Sequence, residues 1–178
     1  MITQQPARSV VLVTVSGQDA PGITSEMTRI LAQGKATILD IGQAVIHGLL
    51  SLSILFEIRE TESADKVVIK DLLFKAHELG MKLEFRVLPP QIADESHYRA
   101  RKHHYALTLI ADRVTAQALH QVTNVLARHH TNIDVIERLS EGDFGCVEMV
   151  VSSPEELDQR TLRKELLEIA RELRVDIA

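Results

Sequence analysis

A chain of 178 residues is long enough for one large domain or two small ones. Its net charge of −5 and pI of about 5.9 argue against a nucleic-acid-binding protein, which needs a basic face. Cys146, the single cysteine, cannot form an internal disulfide, which fits a reducing cytoplasm. The start carries no signal-peptide pattern, and every apolar run is far shorter than the ~20 residues of a membrane helix.

The first half predicts two helices and four strands. In chain order these are a strand at 9–16, a helix at 22–33 whose core is Ile23 to Gln33, strands at 37–47 and 50–58, a helix at 64–79 and a strand at 81–88. His47-Gly48 predicts a tight hairpin between the second and third strands. On the second helix the apolar residues Val68, Leu72, Ala76 and Leu79 fall at helical spacing, and Gly80 is expected to end it.

The second half predicts the same order of elements. Strands are expected at 103–111, 131–140 and 144–152, and helices at 115–130 and 153–174. Ser153 is the expected N-cap of the last helix, followed by Pro154 at its first position and by acidic residues in its first turn. The final residues, 175–178, are expected to begin a last strand, whose remainder would lie beyond Ala178.

The two halves form an internal repeat. The strands of the two halves align at an offset of 94 residues, and the first helices at an offset of 95. A one-residue deletion is therefore expected before the next strand. With that deletion, the aligned pairs are Thr37 and Thr131, Asp40 and Asp134, and Gly48 and Gly142. Each half reads βαββαβ, which predicts an α+β, ferredoxin-like unit with a four-stranded antiparallel sheet and two helices on one face. The expected domains are 8–89 and 103–178, joined by a polar linker at 90–102.

The junction GQDAPGIT, residues 17–24, lies between the first strand and the first helix. Pro21 suits a helix start, and Gly22 leaves the free N–H groups of the first turn without a covering side chain. Those groups and the helix dipole attract anions, while the carboxylate of Asp19 is able to hold an ammonium group. The alternative is an ordinary Asx turn with a Pro-Gly helix start.

The stretch VTVSGQDAPGITSEMTRILAQGKATILDIGQAVI resembles the opening of an ACT domain, with D-x-P-G as its loop. The tandem pair, the VIHGLLSLSILFEI hairpin and the HHYALTLIA restart resemble the amino-terminal region of bacterial two-ACT phosphoserine phosphatases. That resemblance implies an allosteric module that binds a small amino acid, L-serine or glycine, and forms a homodimer in L-serine biosynthesis. It also implies a following phosphatase domain, the only place where magnesium is expected.

Carried over by position, the resemblance implies which residues line the ligand pocket. Those on the loop side are Asp19, Ala20, Gly22, Ile23 and Thr24, and those on the second strand are Asp40 and Gln43. The expected roles are backbone amides of residues 22–24 on the carboxylate, and Asp40 or Asp19 on the ammonium. The second copy has no Pro-Gly at this place, and Thr115 is predicted to be a plain N-cap, so ligand binding is expected in the first copy.

The sequence itself predicts no catalysis, no cofactor and no metal site in this chain. No Asp-x-Asp motif occurs, although phosphoryl transfer by such a phosphatase needs a nucleophilic carboxylate and a magnesium site. Of the eight histidines, four occur as the adjacent pairs His103-His104 and His129-His130 rather than at metal-ligand spacing. An RNA-binding module would need exposed aromatics on the central strands, and an acylphosphatase-like enzyme a basic residue in the 17–24 loop; both are lacking. A free-standing tandem ACT regulator of the glycine-cleavage repressor type remains the alternative.

Overall fold

The chain divides into two compact units, residues 1–95 (unit 1) and 96–178 (unit 2). The structure is a computed structural model that describes residues 8–59, 64–89, 91, 103–140, 144–153 and 157–178. Of the predicted linker, 90–102, only residue 91 falls within these ranges, so that boundary stays a prediction. No helix in the described ranges is long and apolar enough to cross a membrane.

Unit 1 has the predicted βαββαβ order. Its elements are β1 (Arg8–Gln18), α1 (Ile23–Gln33), β2 (Thr37–Ile46), β3 (Leu49–Arg59), α2 (Ala64–Glu78) and β4 (Lys82–Leu88). The strands form one antiparallel sheet in the order β2-β3-β1-β4. The β2–β3 hairpin turns at His47 and Gly48, whose φ angles are 50° and 77°. Positive φ at both positions is what a two-residue hairpin loop of this type requires.

The core of unit 1 lies between the helices and one face of the sheet. Alternate residues of β1 and β3, among them Val13, Ile54 and Phe56, are almost fully buried against α1 and α2. Fully burying one such side chain is worth about 1.5–3 kcal/mol. Gly80 follows α2 with φ of 68°, as expected for a helix end. α2 ends at Glu78, one residue before the predicted end, and Leu79 is 40% exposed.

Unit 2 repeats this architecture. Its elements are β5 (His103–Ala111), α3 (Ala116–Arg128), β6 (Asn132–Arg138), β7 (Gly145–Ser153), α4 (Gln159–Leu173) and β8 (Asp176–Ile177). The sheet order is β6-β7-β5-β8. A second apolar core forms around Val122, Leu126 and Met149, so each unit has the core of an independent domain.

The predicted start of the last helix was wrong. Ser153 is not an N-cap: it is the buried end of β7, paired with His103 across the sheet. The helix begins at Gln159, and Asp158 caps it by accepting hydrogen bonds from the backbone N–H groups of Arg160 (3.1 Å) and Thr161 (3.3 Å). Residues 154–156, expected in the first turn, lie outside the described residues.

The predicted one-residue deletion after the first helix was also wrong. The backbone N–H of Ala36 donates to the C=O of Leu31, and that of Thr131 to the C=O of Leu126, an offset of 95. Both second strands then carry a β-bulge, at Leu39 in β2 and at Asp134 in β6. The offset therefore stays at 95 through these strands, and the expected pairing of Asp40 with Asp134 does not hold.

Candidate functional site

The predicted loop lies at one end of the unit 1 sheet, beside the β2–β3 hairpin. The backbone N–H of Asp19 donates to the C=O of Gly48 at 2.8 Å, which ties the β1–α1 loop to the hairpin turn. Residues 19–22 are all exposed. Pro21 belongs to the turn and precedes the N-cap, so it does not occupy the first helical position that the sequence suggested.

The start of α1 is an uncapped helix N-terminus. Gly22 is the N-cap, with φ of 96° and ψ of −11°, and no side chain caps the helix. A Cβ built on Gly22 would meet nothing within 4 Å, so the space in front of the first turn is open. Positive φ favours glycine here, and the result is a set of N–H donors at the positive end of a helix dipole. This arrangement suits a carboxylate or another small anion.

The structure brings together two predicted residues from opposite sides of the site. The hydroxyl of Thr24, in the first turn of α1, donates to Oε1 of Gln43 on β2 at 2.6 Å. Gln43 lies opposite the buried Leu52, so it is on the helix-facing side of the sheet. With its oxygen held by Thr24, the Gln43 amide has two N–H donors left for another group.

Two other predicted residues play different parts in the structure. Ile23 is only 4% exposed and packs in the core, so its backbone alone is available to a ligand. Asp40 lies opposite Leu55, which places it on the other face of β2 from Gln43. Its Oδ1 accepts from the backbone N–H of Ile41 at 2.9 Å. The structure therefore gathers residues 19–24 with Gln43, and separates Asp40 from them.

The strand side of the site is apolar and half open. Ile41 and Val45 lie on the same side of β2 as Gln43, and each is 46% exposed. Ile46 and Leu49, at the tip of the hairpin, are exposed as well. Since β2 is an edge strand, this end of unit 1 presents polar donors next to uncovered apolar surface, a combination typical of binding and interaction surfaces.

The acidic group on α1 nearest this start is already paired. Glu26, in the first turn, contacts Arg29 at 2.9 Å. The hydrogen bond from Arg29 holds the pKa of Glu26 below its ordinary value. Glu26 therefore remains ionised and matched by a cation, which leaves Asp19 as the carboxylate of the loop.

The corresponding place in unit 2 is built differently. Its helix begins earlier in the repeat, at Ala116, and Thr115 caps it: the Thr115 hydroxyl accepts from the backbone N–H of Ala118 at 3.1 Å. This confirms the prediction of a plain N-cap. At the offset of 95, Leu119 replaces Thr24 and Arg138 replaces Gln43, so the hydroxyl–amide pair is missing.

A glycine that the sequence analysis overlooked explains the altered loop. Gly145, the counterpart of Leu50, lies against Val114: a Cβ on Gly145 would come within 2.6 Å of Val114 Cγ2 and 2.9 Å of Val114 N. The loop before α3 thus packs down onto β7. A repeat alignment at the offset of 95 places Gly145 against Leu50, and this change from an apolar side chain to glycine would have indicated the different loop packing.

Two histidines of unit 2 each lie beside a carboxylate. His104 Nδ1 lies 3.5 Å from Asp134 Oδ2, and His129 Nε2 lies 3.2 Å from Glu165 Oε1. In the part of the chain that the structure describes, no group of three or more His, Cys, Asp and Glu side chains is placed to hold a metal ion.

Known proteins resemble this chain along nearly its whole length. The ACT domain family matches residues 9–86 and again residues 103–178. Phosphoserine phosphatase SerB2 of Mycobacterium tuberculosis is 29% identical over 174 residues, 97% of this chain but 41% of that protein, so this chain spans about two-fifths of its length. UPF0237 protein MMP0657 of Methanococcus maripaludis is 36% identical over 73 residues, 41% of this chain and 81% of that protein.

Solved structures share the tandem fold. A crystal structure of an unknown protein from Galdieria sulphuraria has a TM-score of 0.75 at 19% identity, and 97% of each chain is covered. One assigned as a glycine cleavage system transcriptional repressor has a TM-score of 0.71 at 15% identity, covering 96% of this chain and 95% of that one. Likeness at this level shows the fold. With two family matches, one on each βαββαβ unit, the chain belongs to the ACT-domain family and carries two ACT domains in tandem.

Proposed function

We propose that this chain is an amino-acid-binding regulatory module, with one ligand site per chain, in unit 1. The observation that carries the proposal is the hydrogen bond between Thr24 and Gln43 beside the uncapped start of α1. An anion-attracting helix end and oriented amide donors suit the carboxylate of a small ligand. The carboxylate of Asp19 supplies an acceptor for an ammonium group. Together they fit a small zwitterion, and L-serine is the first choice because of the similarity to phosphoserine phosphatase.

In the proposed complex the ligand carboxylate accepts from the backbone amides of residues 22–24. Asp19 takes the ammonium, and the free N–H groups of Gln43 donate to the carboxylate or to the serine hydroxyl. Asp40 was the other candidate for the ammonium, but it lies on the opposite face of β2 from Gln43. Glycine and L-alanine share the zwitterion and lack the hydroxyl, so they separate the two roles of Gln43.

The module is further proposed to act as a cytoplasmic homodimer. Exposed apolar residues flank the site, namely Ile41, Val45, Ile46 and Leu49, and a second copy would remove them from water. A ligand that favours one arrangement of the paired units would shift the population of that arrangement, and an attached domain would respond. In the proposed full-length protein that domain is a phosphoserine phosphatase.

Calorimetric titration of the chain with L-serine, glycine and L-alanine, alongside its mass by light scattering, tests this function. Saturable binding with one site per chain and a dimer mass is the expected result. If a folded dimer gives no heat with any of the three, the loop at 17–24 is an ordinary turn before a helix and binds no amino acid. The module would then serve only to hold chains together. Equal binding of glycine and L-serine would show that the Gln43 amide does not select the serine hydroxyl.

Gly22→Asn tests the loop itself. Asparagine is among the non-glycine residues found most often at positive φ, so the fold is expected to be retained, although a side chain at φ of 96° is strained. Its side chain would stand beside the first-turn amides and occupy the carboxylate position. Loss of binding by a folded variant with a somewhat lower melting temperature is expected, because of this strain. Wild-type affinity in this variant would show that the loop does not form part of the site.

A further inference from the structure

The unit 1 sheet has an uncovered strand at the edge opposite the proposed ligand site. The sheet order β2-β3-β1-β4 makes β4 an edge strand, and its inner side pairs with β1 along all 7 of its residues. Among the described residues, no strand pairs with its outer side. A strand edge carries a row of backbone N–H and C=O groups, so this open edge is a template for another strand.

Apolar surface continues from this edge onto the neighbouring helix. Phe85 and Val87, on the helix side of β4, are 44% and 61% exposed, and Leu73 and Phe74 of α2 are 40% and 59% exposed. These four side chains line an open cavity of about 760 Å³, with Lys70 and His77 also in its lining. An open strand edge beside exposed apolar side chains is typical of an interaction surface.

The other face of β4 carries alternating charges. Lys82, Glu84 and Arg86 occupy every second position of the strand, and Nζ of Lys82 lies 2.6 Å from Oε1 of Glu84. The hydrogen bond from Lys82 holds the pKa of Glu84 below its ordinary value, so this carboxyl is ionised. From Leu83 to Val87 the order of side chains is therefore apolar, acidic, apolar, basic, apolar.

This order is complementary to itself in antiparallel pairing. When two copies of β4 pair about a two-fold axis at Phe85, Glu84 of each copy lies directly opposite Arg86 of the other. Leu83 of each copy then lies opposite Val87, on the apolar face. An axis at Glu84 or at Arg86 would instead place like charges opposite each other, and an axis between two residues would pair opposite faces of the sheet. Opposite charges across a strand pair stabilise it and like charges destabilise it, so the sequence of β4 selects one register.

We propose that β4 is a self-association surface, at which two copies of this chain pair their β4 strands antiparallel with Phe85 at the axis. The two four-stranded sheets of unit 1 then become one continuous sheet. Both copies of α2 lie on the same face of it, where Leu73, Phe74 and Phe85 of the two copies cover each other. The self-complementary register favours a second copy over an unrelated partner, because a two-fold interface uses the same patch on both subunits.

This interface is separate from the dimer proposed around the β2–β3 hairpin. β2 and β4 are the two opposite edges of the unit 1 sheet, so one chain can use both. The ligand site lies beside β2, and residues of β4 make no part of it. Pairing through β4 is thus a second association step that does not depend on amino-acid binding.

Charge exchange tests the proposed register. Glu84→Arg and Arg86→Glu each place like charges opposite each other, so the dissociation constant of this step is expected to rise by at least about tenfold. An equimolar mixture of the two variants restores the opposite-charge pairs. The double variant Glu84→Arg/Arg86→Glu restores them as well, and it has the composition of the wild-type chain. Sedimentation velocity over a range of concentrations is expected to show weaker association in each single variant and recovery in the mixture and the double variant.

Several outcomes would overturn the proposal. The wild type and both single variants may not associate equally, because equal masses would mean that these charges do not meet. Weaker association without recovery in the mixture would exclude the register centred on Phe85. No association of the wild type at any concentration beyond the β2-side dimer would mean that β4 is covered within a single chain. A fall in L-serine affinity that follows the loss of mass would overturn the independence of this step from the ligand site.

Disulfide trapping checks the axis without changing any charge. Phe85→Cys, in a chain that also carries Cys146→Ser, puts two thiols directly opposite each other, at a separation that a disulfide can span. Oxidised glutathione is expected to link these chains in pairs. Val87→Cys in the same background is the matched control, because Val87 lies opposite Leu83 rather than opposite itself. Equal linking of the two variants, or none in Phe85→Cys, would contradict the proposed pairing.

Discussion

The two units share a fold but differ where the first helix of each begins. In unit 1 an uncapped helix starts at a left-handed glycine, and Thr24 reaches Gln43 across to β2. In unit 2 the helix starts earlier and is capped by Thr115. The β-bulge and the hydrogen bonds after the helix are the same in both. The same fold therefore accommodates two different helix starts, and the proposed ligand chemistry depends on a few residues rather than on the architecture.

A single pair of residues sets the two loops apart. Unit 1 has Leu50 at the start of β3, buried in the core below the site. Unit 2 has Gly145 there, and Val114 fills the space that a side chain would need. Because the loop before α3 packs into this gap, the helix can begin earlier and carry its own cap. The two units therefore differ both in how the loop before the first helix packs and in the side chains at the start of that helix.

Gly145→Ala is expected to produce the largest loss of stability. The new methyl would overlap Val114, including its backbone nitrogen, so the loop must move. Overpacking of this kind costs about 1–3 kcal/mol, and amide exchange should localise the loss to unit 2. Gly42→Ala is the matched control, because a Cβ there meets nothing within 4 Å. Equal losses in the two variants would show that the contact with Val114 does not hold the loop.

Gln43→Leu is expected to weaken amino-acid binding by at least about tenfold, which corresponds to about 1.4 kcal/mol. Leucine keeps a similar volume but removes the amide donors and leaves the Thr24 hydroxyl without its acceptor. Arg138→Leu makes the same replacement at the equivalent position of unit 2 and should leave the affinity unchanged. Calorimetric titration with L-serine measures the affinity of both variants. A larger loss from the Arg138 variant would place the ligand in unit 2.

The sequence predicted the order of elements in both units because the apolar periodicity and the turn residues agree. His47-Gly48 was predictable since a two-residue hairpin needs positive φ, which glycine adopts readily. Thr24 and Gln43 were predicted as site residues from the resemblance to ACT domains. The hydrogen bond between them is visible only in the three-dimensional structure. That Asp40 and Gln43 lie on opposite faces was predictable, because they are three residues apart on one strand and no bulge separates them. Which of the two faces the helices was not predictable, because the bulge at Leu39 inverts the alternation of the residues that follow.

The start of α4 shows a second limit of sequence reasoning. Ser153 and Asp158 both have side chains suited to capping a helix. Ser153 is kept in the sheet by pairing with His103, a tertiary contact that local sequence does not contain. The repeat offset failed for a similar reason. A few identical residues suggested a deletion, whereas the hydrogen bonds after α1 and α3 keep the spacing constant.

Thr115→Ala is expected to destabilise unit 2 by about 1 kcal/mol, within the range of about 0.5–2 kcal/mol for an N-cap threonine. The variant removes the acceptor for the Ala118 N–H. It also converts the start of α3 into an uncapped helix end like that of α1, which sharpens the comparison of the sites. Chemical denaturation measures the stability, and calorimetry with L-serine asks whether unit 2 gains binding. No gain is expected, because Leu119 and Arg138 still replace the hydroxyl–amide pair.

Glu165→Gln is expected to have the smallest effect, a loss of about 0.2–1 kcal/mol. Glu165 contacts Arg128 at 3.0 Å and His129 at 3.2 Å, where α3 ends, and its side chain is 30% exposed. The loss should shrink in high salt, because screening weakens exposed ion pairs. Glu168→Gln removes a charge from the same helix at an exposed position and serves as the control in salt-dependent denaturation. At the equivalent end of α1, Gly34 packs beneath Val68 instead, so salt should leave unit 1 unaffected at this point. A salt-independent loss in Glu165→Gln would mean that packing, not charge, joins α3 to α4.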